Sequence, residues 1–448
     1  MFLTLSSFRE YELLVFFGGA HMAKDTAASL QNDVIYSIFV RNHTKEGTFR
    51  SVIPDLPRIR ALGVDVIWLM PIHPIGEVNR KGSLGSPYAI KDYRGINPEY
   101  GTMEDFRALV DAIHEHGMKV IIDVVYNHTS PDAVLKSQHP EYYYRKPDGS
   151  FGNHVGDWTD IIDLDYSNQA LWKYQIDTLK MWASIVDGFR CDVASFVPLA
   201  FWKKARKAVA AINPNCIWLA ESVSQSFAEA FYETGVQSVR DRELFEAFDI
   251  EYEYDIHEAM EQYLHGETTI GHYLALTNLE EYLYDPNYNK LRFLENHDQP
   301  RIASRVKSTE DMKNLLALIY FLKGTALLYA GQEGSYKKQT SLFDKDLISF
   351  DQGEDLSSWI QMLGRIKKSY LEPEDRYFAE WNNKKDIVVL SRRGIRHKVG
   401  IFSLKSQKGK VHVPLTDGKY KNLLTGKEMT VANGQVTCNG KPMILVKP

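Results

Sequence analysis

The sequence predicts an α/β chain: a (β/α)8 barrel of the TIM type with a short insertion after its third strand and a C-terminal antiparallel β domain. Three observations carry this expectation. From about Asp33 onward, short β-branched or aromatic runs alternate with helix-period segments, the pattern of repeated βα units around a parallel sheet, and eight such units can be counted. The 448 residues, 44% hydrophobic and 25% charged, are enough for one large barrel and a small accessory domain. From about Glu372 the pattern changes to short alternating runs broken by Gly, Asn and Lys, which reads as antiparallel sheet. A doubly wound open sheet is the alternative for the first part.

Taken in order, the expected barrel strands are Val34 to Val40, Val64 to Met70, Lys119 to Tyr126, Val186 to Cys191, Ile217 to Ala220, Ala247 to Ile250, Leu291 to Leu294 and Ala326 to Tyr329. Between the second and third, Met103 to His116 has helical periodicity, with Thr102 placed as N-cap and Gly117 as stop. The barrel is assigned to residues 31–128 and 167–371. The insertion, 129–166, carries the turn Lys146-Pro147-Asp148-Gly149 together with Tyr142, Tyr143, Tyr144 and Trp158, and is expected to wall one side of a cleft. Residues 372–448 form the β domain, with runs such as Ile387-Val388-Val389-Leu390 and Gly400-Ile401-Phe402-Ser403-Leu404. Residues 1–30 read as a leader: Leu13 to Phe17 resembles a short signal core, but Arg9, Glu10 and Glu12 crowd it and no small-residue cleavage site follows.

Composition narrows the function. A net charge of -5 provides no basic field to hold a polyphosphate, so nucleic acid is not expected as a partner. No apolar run approaches the roughly 18 to 20 residues that span a bilayer, so no membrane association is expected. Cys191, Cys216 and Cys438 form neither an even framework nor a C-x-x-C zinc pattern, which points to a reducing, cytoplasmic setting, with secretion as the lesser alternative. Cys191 falls in an apolar strand and reads as core. Aromatic residues make up 12% of the chain; most are core or surface filler, but flat rings also serve to stack on sugars.

Acidic residues recur where strands end. In Gly188-Phe189-Arg190-Cys191-Asp192, period two puts Arg190 and Asp192 on one side, where the arginine would keep Asp192 ionised with a depressed pKa, as a nucleophile requires. A plain Arg–Asp ion pair explains these five residues equally well. Cys216 to Ala220 runs directly into Glu221; a carboxyl group among apolar and acidic neighbours rises in pKa and can act as a proton donor near neutrality. Asp298 follows Asn296-His297 at the end of another strand. Barrel strand ends converge on one mouth, so three acids placed there favour a shared site over three separate ion pairs. Retaining glycosidases need two carboxyl groups about 5 to 5.5 Å apart. Asp123, deeper in the third strand, is expected to hold Arg190, and His128 stands at that strand's exit.

Taken together these runs resemble the α-amylase family, glycoside hydrolase family 13. The resemblance rests on Asp123 through His128, Gly188 through Asp192, Glu221 and Asn296-His297-Asp298, in the family's order. Ile162-Asp163-Leu164-Asp165 resembles a short motif near the end of its inserted domain, and Gly85 through Tyr93 its segment with a stacking tyrosine. It covers the chain from about Asp33 to the end, and the joint order is specific where each motif alone is weak. It implies Asp192 as nucleophile, Glu221 as acid/base and Asp298 as a third carboxylate gripping sugar hydroxyls, with Tyr88, His128, Arg190 and His297 around the sugar. The implied reaction is hydrolysis of α-1,4-glucosidic bonds in maltodextrins or starch-derived maltooligosaccharides by double displacement.

The pattern also departs from the family. Many calcium-binding members follow the nucleophile with Lys and His, whereas here Asp192 is followed by Val193, Ala194, Ser195 and Phe196. No cofactor is required on this reading; calcium is allowed, with Asn127 and nearby Asp157, Asp160, Asp163 and Asp165 as weak ligand candidates. Gly101 to Asp105 and His297 to Arg301 look equally like α-1,6-acting oligosaccharide glucosidases, and a transglycosylase would use the same acids. Two other classes were weighed. A catalytically inactive carbohydrate-binding or scaffold relative would be expected to lack these acids. A phosphate-binding barrel enzyme would not place Glu333 in the Gly331-Gln332-Glu333-Gly334 loop after its last strand.

Overall fold

The computed structural model describes residues 26–382 and 384–447. Eight parallel strands, β1 (Val34–Ile38), β2 (Val66–Leu69), β3 (Lys119–Val124), β4 (Gly188–Cys191), β5 (Ile217–Ala220), β6 (Ile250–Tyr252), β7 (Lys290–Arg292) and β8 (Thr325–Tyr329), close into a barrel in chain order, with β8 pairing back onto β1. The doubly wound alternative is thereby excluded. Strands such as β2, Val-Ile-Trp-Leu, are buried on both faces, which is why they read as unbroken apolar runs rather than as alternations. The helix Met103–Glu115 starts at Thr102, whose side chain accepts from Asp105 N–H, and is followed by Gly117 at φ +68°.

Two strands lie away from their expected positions. β6 is Ile250–Tyr252 rather than 247–250, and β7 is Lys290–Arg292 rather than 291–294. Both contain fully buried charges, which a hydrophobicity reading takes for strand ends. Lys290 reaches Asp255 at 3.2 Å, and Arg292 donates to Glu253 at 2.9 Å and Glu280 at 2.5 Å. Burial of these two cations is tolerable because each is paired with carboxylates.

The insertion closes on itself through an antiparallel pairing of His128–Thr129 with Ile162–Asp163, and its turn forms at Lys146 to Gly149 through Gly149 N–H to the Lys146 carbonyl at 2.8 Å. Of the segment read as a leader, residues 28–30 begin a 3-10 turn that packs on the barrel, with Leu30 buried; residues 1–25 lie outside those described.

The C-terminal part forms a six-stranded antiparallel sheet from β9 (Arg376–Asn382), β10 (Ile387–Arg393), β11 (His397–Ser403), β13 (Gly418–Asn422), β14 (Glu428–Val431) and β16 (Met443–Val446), with a two-stranded sheet of β12 (Lys408–His412) and β15 (Gln435–Asn439). It docks on the helix Thr309–Phe321. Asn314 accepts from Ser403 N–H at 2.7 Å and donates to the Gly440 carbonyl at 3.0 Å, and Phe321 and Phe402 meet at 5.7 Å. Gly400 is required there: a Cβ would lie 2.5 Å from the Phe402 ring and 3.0 Å from Phe321. Among the described residues no helix is long and apolar enough to cross a membrane.

Candidate active site

The strand C-termini open into a cleft of about 480 Å³, and Tyr88, His128, Asp192, Glu221, His297 and Asp298 all line it. The barrel is what unites them. Asp123 and Arg190 are paired neighbours across β3 and β4, Arg190 is opposite Leu219 of β5, and Asp192 and Glu221 are the residues immediately beyond β4 and β5. Asp192 N–H donates to the Val124 carbonyl at 2.9 Å and Glu221 N–H to the Cys191 carbonyl at 3.0 Å, so both backbones remain tied to the sheet.

Arg190 organises the floor. Its Nη1 donates to Asp123 at 2.9 Å and Asp192 at 2.7 Å, and its Nη2 lies 2.8 Å from a Glu221 oxygen. The guanidinium is fully buried among Trp68, Tyr88 and Tyr252, 5.1 to 5.8 Å from their centroids. It therefore stands behind the acids and not among the cleft-lining residues, a correction to the expectation that it borders the sugar. Asp123 holds it, as expected.

The proton inventory follows from three carboxyl groups facing one guanidinium. Burial pushes Asp192 up to about 7 and Glu221 up to about 8, with Arg190 opposing both, and it raises Asp123 to about 6. The expectation of a depressed Asp192 pKa is thus corrected: one cation divided among three acids does not outweigh their desolvation. Glu221 also accepts from Val193 N–H at 2.8 Å, and Val193 reaches this geometry at φ +35°, ψ +46°, a left-handed conformation unusual for a β-branched residue.

Asp298 sits in the loop after β7, its N–H bonded to the Asn296 side chain at 2.9 Å and its side chain 44% exposed to the cleft. His297 Nε2 is 3.1 Å from its carboxylate and 2.6 Å from the Tyr88 hydroxyl, with the Tyr88 and His297 rings stacked at 5.4 Å. Burial lowers His297 and His128 to about 4 each, so both are neutral hydrogen-bonding groups at neutral pH. Cys191 is buried and its thiol is pushed well up by burial, an inert core residue.

Several of the residues read as calcium ligands have other partners, while Asp163 Oδ1 is buried without a hydrogen-bond partner. Asn127 faces His128 Nδ1 at 3.2 Å, Asp163 accepts from His154 N–H and its ring at 2.8 and 2.7 Å, Asp160 pairs with Lys81 at 3.1 Å, and Asp165 accepts from Ser167 N–H. No three His, Cys, Asp or Glu gather into a metal-binding group among the described residues.

Sequence reasoning did not single out Lys81, Phe227, Tyr254 and His257, which also line the cleft. They arrive from the loop after β2 and from the helices Gln225–Tyr232 and Tyr254–His265. Only the chain proximity of Phe227 to Glu221 hinted at any of them.

Comparisons with known proteins agree with this geometry. Residues 29–386 match the model of the α-amylase catalytic domain, and residues 380–445 that of the bacterial α-amylase C-terminal domain. The crystal structure of an α-amylase from Lactobacillus plantarum superposes with a TM-score of 0.91 at 46% identity, covering 94% of this chain and 100% of that one. A maltogenic α-amylase from Thermotoga neapolitana gives 0.82 at 30% identity, covering 93% and 99%. An α-1,4-glucan:maltose-1-phosphate maltosyltransferase from Rhodospirillum rubrum is 39% identical over 200 residues, 40% of this chain and 29% of the transferase, so the match spans under a third of that relative. With the catalytic-domain model matched across most of its length, the chain belongs to the α-amylase family, glycoside hydrolase family 13.

Proposed function

We propose that the chain is a retaining α-glycosidase that cleaves α-1,4-glucosidic bonds in maltodextrins and related maltooligosaccharides. The observation that carries this reading is the pairing of Asp192 and Glu221 at one cleft floor through a single buried guanidinium. Ionised Asp192 attacks the anomeric carbon while protonated Glu221 delivers its proton to the leaving oxygen. Glu221, now a carboxylate, then takes a proton from water as the water displaces Asp192. Asp298, exposed to the cleft beside His297, is placed to bind sugar hydroxyls as the ring flattens. Tyr88, stacked on His297, and neutral His128 complete that sugar's surroundings.

No resident cofactor enters this scheme, and Asp160, Asp163 and Asp165 each have one oxygen engaged by Lys81, His154 or a backbone N–H. The three unpaired, buried cysteines support a reducing compartment, and we assign the protein to the cytoplasm. Product analysis on maltotriose, isomaltose and a long maltodextrin tests the linkage. Cleavage of maltotriose and maltodextrin with isomaltose untouched supports the reading; a preference for isomaltose moves the assignment to α-1,6 bonds. Glycosyl transfer is a second outcome of the same chemistry, favoured by the resemblance to a maltosyltransferase over 200 residues.

A further inference from the structure

The loop after β2 is laced to its neighbours on both flanks, across the part of the barrel mouth where β8, β1, β2 and β3 stand side by side. Toward β8, Leu84 N–H and Gly85 N–H donate to the Phe343 carbonyl at 2.9 and 3.2 Å, and Ser83 donates to Asp344 from its N–H and its hydroxyl at 2.8 and 2.7 Å. Fully buried Arg41, just after β1, donates to one carbonyl of each loop, Gly85 and Leu342, at 3.0 Å, and pairs with Glu99 at 2.9 Å. Gly82 stands at φ +64°, and a Cβ there would lie 2.6 Å from that of Phe343, so the loops meet through a position that favours glycine. Toward the insertion, Lys81 pairs with Asp160 at 3.1 Å and Asn79 donates to the Thr159 carbonyl at 3.2 Å. Lys81, Ser86, Asp160, Ile161, Leu342 and Phe343 form the inner face of this wall, and all line the cleft. The facing rim, Val193, Ser222, Phe227 and Glu258, comes from the segments after β4, β5 and β6.

The direction of the reaction assigns the two ends of a substrate to these two sides. Glu221 protonates the oxygen of the departing piece, so that piece extends over the residues following β5. The piece esterified to Asp192 extends the other way, past Tyr88 and His297, and its remaining units lead toward the non-reducing end of the chain. We infer that the wall between the β2 and β8 loops closes this donor side within a few sugars of the cut. The protein then clips one short saccharide of fixed length from the non-reducing end instead of cutting within a long chain. This rests on the retaining α-1,4 reading above. A cleft of about 480 Å³ encloses a short oligosaccharide and does not pass a polymer strand through it. At its closed end Leu342 and Phe343 present apolar side chains, which offer no partner to the hydroxyls of a chain running on. A loop tied to three elements by backbone and side-chain bonds opens less readily than a free lid. Ser83 and Asp344 act here as positioning residues, since they hold Phe343 across the path of the donor.

The test compares p-nitrophenyl α-maltoheptaoside with the same substrate carrying a 4,6-O-ethylidene group on its non-reducing sugar. That group bars entry by the non-reducing end and leaves the internal bonds intact. Rates are measured at low conversion and product lengths are read by chromatography. The wild type is expected to release one short product from the free substrate from the outset, and to cut the blocked substrate about 100-fold more slowly. Phe343→Ala lowers the wall and Asp344→Ala loosens it, so each should raise the blocked-to-free rate ratio by about tenfold and spread the product lengths. Asp344→Asn, which keeps an acceptor for Ser83, should stay near the wild-type ratio. Circular dichroism on each variant establishes that it is folded. Equal wild-type rates on the two substrates, a ladder of mixed lengths from the outset, or a ratio unmoved in both alanine variants overturns the inference. Absence of wild-type cleavage of the free substrate overturns instead the α-1,4 reading beneath it.

Discussion

At the residue scale the decisive feature is the sharing of Arg190 by Asp123, Asp192 and Glu221. Burial raises both cleft acids, and the active form, Asp192 ionised and Glu221 protonated, is the singly protonated state of a coupled pair. kcat/KM on maltotriose should therefore follow a bell, its acid limb set by Asp192 and its alkaline limb by Glu221, the apparent values belonging to the pair. In Glu221→Gln the alkaline limb should disappear. The same shifts bear on stability. Both folded-state values lie above the ordinary 3.8 and 4.5, so the stability associated with these groups is complete below about pH 4 and is lost as pH rises through 7 to 8. Asp192→Asn should accordingly have a Tm roughly 2 to 4 °C above the wild type at pH 9, with the difference vanishing only below about pH 4, read by calorimetry across pH. A variant less stable than the wild type at pH 9 would contradict the account of burial. The cleft acids Asp192 and Glu221 were legible in the sequence because each directly follows a barrel strand. Their proton affinities were not, since the number of carboxylates sharing Arg190 emerges only when β3, β4 and β5 are laid side by side.

At the scale of elements, we propose that the insertion is held to the barrel by direct side-chain contacts that need no metal. Lys81, in the loop after β2, pairs with Asp160 at 3.1 Å and donates to the Asp157 carbonyl at 3.2 Å, while Asn79 donates to the Thr159 carbonyl at 3.2 Å. Excess EDTA or millimolar calcium should shift the Tm by less than about 1 °C, and Lys81→Ala should speed proteolytic cleavage within residues 139–160 more than it lowers the global Tm. A large calcium-dependent rise in Tm would sink this account. Element order, the capped helix from Met103 and the turn at Gly149 could be read from periodicity and capping chemistry. β6 and β7 were misplaced because Glu251 and Lys290, which border the apolar runs in the sequence, are buried inside the strands, Lys290 against carboxylates distant in sequence. A local hydrophobicity window sees their charge and not the partners. Phe227 was missed for a related reason: it lines the cleft packed on Trp158 and Phe196, which only the folded loops bring to it.

On the scale of the whole molecule, the barrel and C-terminal sheet are bound through a tightly packed seam. Phe402 is fully buried against Phe321, and Asn314 satisfies backbone groups of two separate β-domain segments. Phe402→Ala should cost about 3 to 5 kcal/mol in denaturant unfolding, because the cavity cannot collapse beside Gly400. Unfolding followed by tryptophan fluorescence and by far-ultraviolet circular dichroism should coincide if the seam couples the two parts. The barrel's larger service is to bring the ends of β4, β5 and β7 to one mouth, and the central claim is that Asp192 and Glu221 act there as nucleophile and acid/base. The most direct measurement is the anomeric configuration of the first product from maltoheptaose, followed by NMR for the wild type, Asp192→Asn and Glu221→Gln. The account predicts α-anomers from the wild type and a loss of about 10³-fold or more in kcat from each folded variant; a β-anomer as first product, or full activity in either variant, would contradict it.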